Sequence, residues 1–391
     1  MASVISVATM NMRTQLISKA RRVVVKVGSN VLSDRTGHLS ERVIGDLARQ
    51  VAAARGGGRE TVLVTSGAIS AGVAQLGLAS RPKLLPQLQA AAAVGQSRLM
   101  QLYAAAFRRE GLEVGQILLT AEDLKARTRH LNARNTIIAL LEKGVVPIIN
   151  ENDTVSTDEI KFGDNDTLSA LVANLVAADL LVILTDTRGL MTEDPRKGKG
   201  ELIREVERMT PGIETLARGA GSARGTGGMA SKLRAVKMVV SSGEAAVIAD
   251  GREREILCRI LRGEDVGTFF HPAGAKMDGR KRWIAWFVKP RGTLIVDDGA
   301  AAALLRKGTS LLPSGIRDVL GEFRDGDTVR VTAADGREIA RGLSNYSAAD
   351  LRVIRGRKTG EIAGLLGHKD YDEAVHRDNL VLMGGRETGG G

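Results

Sequence analysis

Between residues 22 and 250 the chain alternates short β-branched runs with longer stretches of helical periodicity. Val23–Val27, Thr61–Thr65, Val114–Leu119, Val145–Ile149, Leu180–Thr185 and Ala246–Ala249 read as strands, several of them apolar on both faces. The intervening segments Glu41–Ala54, Gln87–Arg109, Asn132–Lys143, Thr167–Ala178 and Ser231–Val240 read as helices, and Gly56 and Gly144 stop two of them. Strands alternating with helices predict an α/β fold, a three-layer αβα sandwich around a mainly parallel central sheet.

The pattern changes after about residue 275. Leu294–Val296, Thr328–Thr332 and Glu338–Leu343 are short and separated by turn signals such as Asp298-Gly299, Asp325-Gly326 and Asp335-Gly336. They predict a second, small β-rich domain. The division expected is a disordered leader over 1–20, a first domain over 21–275, a basic linker over 276–291, the β-rich domain over 292–380 and a flexible Gly-rich tail over 381–391.

Composition narrows the classes. With 43% hydrophobic and 26% charged residues among 391, global disorder is excluded. No run approaches the roughly 18 apolar residues of a membrane span. The lone Cys258 excludes a disulfide scaffold and a cysteine-built metal site, and fits a cytoplasmic setting. The net charge of +11 invites a nucleic-acid reading. Yet Lys276–Arg291 holds six bases against one acid, leaving 292–391 at net −1, and aromatics at 3% are too sparse for a protein built to stack on bases. The first 33 residues contain no acid but lack the sustained amphipathic pattern of a transit peptide.

In a parallel sheet, ligands bind beyond the carboxyl ends of the strands. The first strand ends in Lys26-Val27-Gly28-Ser29-Asn30, a cation and a glycine suited to phosphate, or a plain turn. The second ends in Ser66-Gly67-Ala68, which suits a carboxylate or serves as a helix cap. The fourth leads into Asn150-Glu151-Asn152-Asp153-Thr154 and then Asp164-Asn165-Asp166, whose acids and amides suit an amino group and a metal–phosphate complex. Their spacing is not that of an EF-hand. The fifth ends in Thr185-Asp186. Gly225-Thr226-Gly227-Gly228-Met229-Ala230-Ser231-Lys232 opens a helix, whose N-terminus offers N–H groups to an anion. Gly225, Gly227 and Ala230 match a dinucleotide fingerprint, but a polar loop precedes them instead of a strand.

In order and spacing these segments, together with Ala93-Val94-Gly95-Gln96-Ser97-Arg98, resemble the amino acid kinase family over roughly residues 22–275. Arg280-Lys281-Arg282-Trp283-Ile284, Ser310–Ile316 and Ile339–Tyr346 resemble a PUA domain. Ala230-Ser231 stands where Ser-Thr is more usual in the family. The resemblance implies ATP-dependent phosphorylation of the γ-carboxylate of L-glutamate, the first step toward proline, with Mg2+ bridging the phosphates. It implies catalytic roles for Lys26, Asp166 and Lys232. Ser66, Asp153 and Asn165 would hold glutamate. Lys26, Gly28, Thr185, Asp186 and Thr226, Gly227, Gly228, Met229, Ala230, Ser231 and Lys232 would hold ATP. It further implies inhibition by proline, a homo-oligomer (tetramer or dimer), and delivery of product to glutamyl phosphate reductase. Two alternatives stay open: an RNA-binding protein acting through the PUA domain, and a sister kinase with another acceptor.

Overall fold

The computed structural model describes residues 11–34, 38–155, 165–193, 200–216 and 228–383. The chain divides into two compact units, Met1–Lys276 and Met277–Gly391.

In chain order the first unit begins α1 (Met12–Lys19), β1 (Arg22–Val27), α2 (Ser29–Leu32), α3 (Glu41–Gly56), β2 (Glu60–Val64), α4 (Ala68–Gln75) and α5 (Leu85–Arg109). It continues with β3 (Val114–Leu119), α6 (Ala121–Lys125), α7 (Arg127–Glu142), β4 (Val146–Glu151), α8 (Asn165–Leu175) and β5 (Leu180–Thr185). It ends with β6 (Glu205–Val206), α9 (Pro211–Leu216), α10 (Met229–Ser241), β7 (Ala245–Asp250), α11 (Ile256–Leu261) and β8 (Thr268–Phe270). Among the described residues the strands form one sheet in the order β3-β4-β2-β1-β5-β7-β8-β6. The pairs from β3 through β7 are parallel, whereas β7 and β8 run antiparallel.

Because side chains alternate along a strand, β1 feeds two different layers. Val23, Val25 and Val27 join one core with Ile44 and Leu47 of α3, Leu99 and Tyr103 of α5, and Ile256 and Ile260 of α11. Val24 and Lys26 point to the other face, where α8 packs against β1 and α10 packs against α8. The period-two rule thus sends a lysine into a buried layer, where it needs a partner.

The close approach of α4 and α5 rests on two glycines. A Cβ on Gly72 would lie 1.7 Å from the Ala91 carbonyl oxygen, and one on Gly95 would lie 1.8 Å from that of Ala68. Gly67, at φ +102°, makes the turn from β2 into α4. These contacts fix where Ser66 sits.

The second unit contains α12 (Gly279–Arg282), β9 (Gly292–Val296), α13 (Asp298–Ala302), β10 (Ile316–Gly321), β11 (Thr328–Thr332), β12 (Glu338–Leu343), α14 (Ala348–Ile354), α15 (Ile362–Leu366) and β13 (Leu380–Leu382). Its sheet runs β10-β9-β11-β12-β13, with β9 and β11 parallel and the other neighbours antiparallel. Leu294, Val296, Val329, Val331, Ile339 and Leu351 form its core.

Three expectations are corrected here. The leader expected to be disordered through residue 20 contains α1, where Ile17 joins the core and the Arg13 side chain is buried. Arg13 donates to the Val266 carbonyl at 2.6 Å, pairs with Asp265 at 3.0 Å and lies 5.7 Å from the Phe269 ring centroid. The basic segment expected as a linker is packed: Ile284, Ala285 and Phe287 are buried, and so is Arg282. Finally, the strands of the first unit do not end with the expected Ala246–Ala249, because β8 pairs beside β7. β8 has three residues, too few for an alternating pattern to register.

Gly95→Ala tests the α4–α5 approach. Alanine in a helix ordinarily stabilises by about 1 kcal/mol over glycine. Here overpacking reverses the sign, with an expected loss of about 1–3 kcal/mol in urea unfolding.

Candidate active site

The carboxyl ends of β1, β2, β4 and β5 carry Lys26, Thr65-Ser66, Asn150-Glu151 and Thr185-Asp186, in adjacent strands of one sheet. The N-termini of α8 and α10 bring Asn165-Asp166 and Gly228–Lys232 to them.

Asp166 is the centre of one cluster, 1% exposed. Lys26 Nζ lies 2.7 Å from its Oδ1 and Lys232 Nζ lies 3.3 Å from its Oδ2. Ser231 Oγ donates to Oδ2 at 2.7 Å. Burial alone would raise the Asp166 carboxyl above its usual range. The two ammonium charges, with the hydrogen bonds from Lys26 and Ser231, outweigh it and hold the carboxyl below.

Around this cluster α10 begins at Gly228 with no side-chain cap. The Ser231 and Lys232 N–H groups reach back to the Gly228 carbonyl. Those of Met229 and Ala230 belong to the first turn, where a helix leaves its N–H groups without intrahelical partners. Thr226 and Gly227 lie outside the described residues, as does Asp164.

Gly28 differs from its expected part. Its N–H donates to the Leu184 carbonyl at 3.0 Å and is not available to a phosphate. A Cβ there would stand 3.5 Å from the Leu184 carbonyl oxygen and 3.8 Å from Lys26 Nζ, ordinary van der Waals contact. Beside it, Asp186 accepts from Asn30 Nδ2 at 2.9 Å and from Thr185 Oγ1 at 3.2 Å. The carboxyl of Asp186 is lowered: burial opposes, but the Asn30 hydrogen bond and its neighbours prevail. Arg252 donates to the Asp186 carbonyl at 2.6 Å while chelating Asp250.

The second cluster is built of amides. Asn165 Nδ2 donates to Ser66 Oγ at 2.9 Å, the Thr65 carbonyl at 2.8 Å and Asn150 Oδ1 at 3.1 Å. Behind it, Thr65 Oγ1 and Tyr103 Oη are 2.9 Å apart. Asp153 stands two residues beyond β4, and burial pushes its carboxyl up to about 6, with Arg81 opposing. Asn30, Gln96, Tyr103, Asn150 and Arg252 are further polar residues of the site that the sequence does not mark as such. Asn30, Gln96 and Asn150 lie within the motif segments, whereas Tyr103 and Arg252 carry no local signal.

The amino acid kinase family pattern matches residues 21–250, and the PUA domain pattern matches 292–366. A glutamate 5-kinase of Citrifermentans bemidjiense is 52% identical over 373 residues, covering 95% of this chain and 100% of its own length. A glutamate 5-kinase of an Azoarcus species is 53% identical over 367 residues, covering 94% and 99%. A carbamate kinase from Giardia lamblia, solved with AMP-PNP, aligns with 65% of this chain and 99% of its own at 16% identity and a TM-score of 0.48. The chain belongs to the amino acid kinase family and carries a PUA domain after it. Within that family it stands with the glutamate 5-kinases and is an enzyme of that type.

Asp166→Asn leaves two lysines facing each other without their anion. Breaking such a buried pair costs about 3–5 kcal/mol, expected here as a lower denaturant midpoint at pH 7. Because folding depresses the Asp166 pKa, the wild-type advantage is present above the unfolded value of 3.8 and fades as the pH falls through the lower folded value. Denaturation series across that range check the narrowing.

Proposed function

We propose that the chain transfers the γ-phosphoryl group of ATP to the side-chain carboxylate of L-glutamate, forming γ-glutamyl phosphate and ADP. One observation carries this reading: Lys26 and Lys232, from a strand and a helix remote in sequence, converge on one buried carboxylate. A glutamate carboxylate has a pKa of about 4.3 and is already ionised at neutral pH. It therefore needs no general base. The obstacle is repulsion between an anionic acceptor and a polyanionic donor, and catalysis of this kind rests on positioning and charge stabilisation.

In this reading Lys26 meets the transferring phosphoryl group and Lys232 the nucleotide phosphates, and Asp166 holds both ammonium groups in place before the nucleotide arrives. Gly28 stands beside Lys26 at the border of the nucleotide phosphates. Thr185, Asp186 and the segment Thr226–Lys232, including Gly227, Gly228, Met229, Ala230 and Ser231, border the nucleotide. The Met229 and Ala230 N–H groups and the positive end of α10 favour its anionic groups. Ser66 and Asn165 face the amino acid, and Asp153 takes its ammonium. Mg2+ would travel with ATP, neutralising phosphate charge. Both Asp166 oxygens already have protein partners, so phosphate oxygens and water would supply its ligands. Inhibition by proline, assembly as a dimer or tetramer and delivery to glutamyl phosphate reductase belong to the same proposal through the family likeness.

ATP-dependent hydroxamate formation with glutamate, set against aspartate and acetylglutamate, tests the acceptor; activity with glutamate only as weak as with the others would sink it. Lys26→Ala and Lys232→Ala each lower kcat by at least about a hundredfold if electrostatic stabilisation is lost, with unchanged circular dichroism.

The Asp153 carboxylate holds an ammonium only when ionised. Its pKa of about 6 predicts that KM for glutamate rises as pH falls below 6, with KM for ATP unaffected by this group. Asp153→Asn raises KM at neutral pH to the level the wild type approaches only below pH 6, and flattens the profile. A wild-type KM independent of pH from 8 to 5 would contradict the assignment.

A further inference from the structure

The amide cluster extends one residue deeper than the motif reading reached. Gln96 lies on α5 directly after Gly95, whose missing Cβ allows α5 to touch α4. Gln96 Oε1 accepts from Asn150 Nδ2 at 2.7 Å. Asn150 Oδ1 accepts from the Glu151 N–H at 2.9 Å and from Asn165 Nδ2 at 3.1 Å. Asn165 Nδ2 then reaches Ser66 Oγ. Three amides from α5, β4 and α8 are therefore joined head to tail.

A carboxamide has a donor end and an acceptor end of nearly the same shape, so its direction is set only by its partners. The Gln96 oxygen demands the Asn150 nitrogen. That turns the Asn150 oxygen toward Asn165 and engages the Asn165 nitrogen on the protein side. The consequence appears at the end of the relay: Asn165 Oδ1 is buried and, among the described residues, has no hydrogen-bond partner. Gln96 Nε2 is likewise buried and without a partner among the described residues. Leaving two such atoms unpaired is unfavourable, and a cluster serving packing alone would have little reason to keep them.

We propose that Gln96 is a positioning residue for the amino-acid substrate: through Asn150 it fixes the Asn165 amide so that its free oxygen is presented to the substrate ammonium. This rests on the glutamate kinase reading and extends it to a residue that need not touch the substrate. An oxygen acceptor complements the Asp153 carboxylate and selects for an unmodified amino group over an acylated one, which would leave the buried oxygen short of a charged donor.

Steady-state kinetics on the full-length chain separate positioning from packing. Gln96→Met keeps the length of the side chain and removes the acceptor. It raises KM for glutamate about tenfold, leaves KM for ATP within about twofold and kcat within about threefold. Gln96→Glu keeps an oxygen facing Asn150 Nδ2 and restores KM for glutamate to within about threefold of wild type. Gln96→Ala replaces Gln96→Met should the latter not fold, with melting temperature as the control. Unchanged KM for glutamate on loss of the acceptor overturns the proposal, as does equal impairment of Gln96→Glu. A wild-type chain that phosphorylates glutamate while Gln96→Met matches it removes this inference alone. A wild-type chain inactive on glutamate removes the underlying reading with it.

Discussion

The first unit is organised around a buried carboxylate shared by two ammonium groups. Lys26 enters the α8–α10 layer because β1 must alternate its side chains, and a lone ammonium there would be costly. Asp166 at the start of α8 and Lys232 at the start of α10 resolve that cost together, at 2.7 and 3.3 Å. The pairing links a central strand to two helices from distant parts of the sequence. It also fixes the positions of two cations before any ligand is bound. Preorganisation of this kind makes electrostatic stabilisation effective, since little reorientation is left for the moment of reaction.

A second constraint supports the first from the opposite layer. The α4–α5 contact, closed by Gly72 and Gly95, sets the turn that carries Ser66. The Tyr103 hydroxyl on α5 reaches Thr65, and Gln96 on the same helix reaches Asn150. One long helix thus fixes the ends of β2 and β4 by polar contacts, while its apolar face fills the core with Leu99 and Phe107. Positions that would be ordinary interior positions in an isolated helix are here constrained by the site.

Much of this organisation was legible in the sequence because each signal was local. The strands β1, β3 and β5 are apolar runs, and the residues beyond the strand ends are conspicuous against them. Lys26, Asp166 and Lys232 were picked out individually, but their convergence could not come from periodicity, since it is set by the order in which strands enter the sheet. The illegible parts follow the same logic. α1 hides a buried Arg13 whose partners Asp265 and Val266 lie some 250 positions along the chain. The segment around Arg280–Arg282 reads as solvated because its charge is local, whereas the burial of Ile284 and Ala285 depends on Val381, Leu343 and Met383 farther along the second unit. β10 carries Arg317, Asp318 and Gly321 among its six residues and so loses any clear alternation.

In the proposed reaction, the division of labour between the two clusters follows from the chemistry each would face. Phosphate needs positive charge, and Lys26 and Lys232 would bring it from a strand and a helix that Asp166 ties together. An amino acid presents both signs, so recognising it by lysines alone would not separate it from phosphate. Neutral amides avoid that conflict: each offers an acceptor or a donor according to its orientation and adds no net charge beside the phosphoryl group. Asn165 and Asp166 are consecutive at the start of α8, yet one belongs to the amide relay and the other to the charged cluster. In the proposed reaction that adjacency would let a single helix terminus set the distance between acceptor and donor, the quantity on which an in-line transfer between two anions most depends.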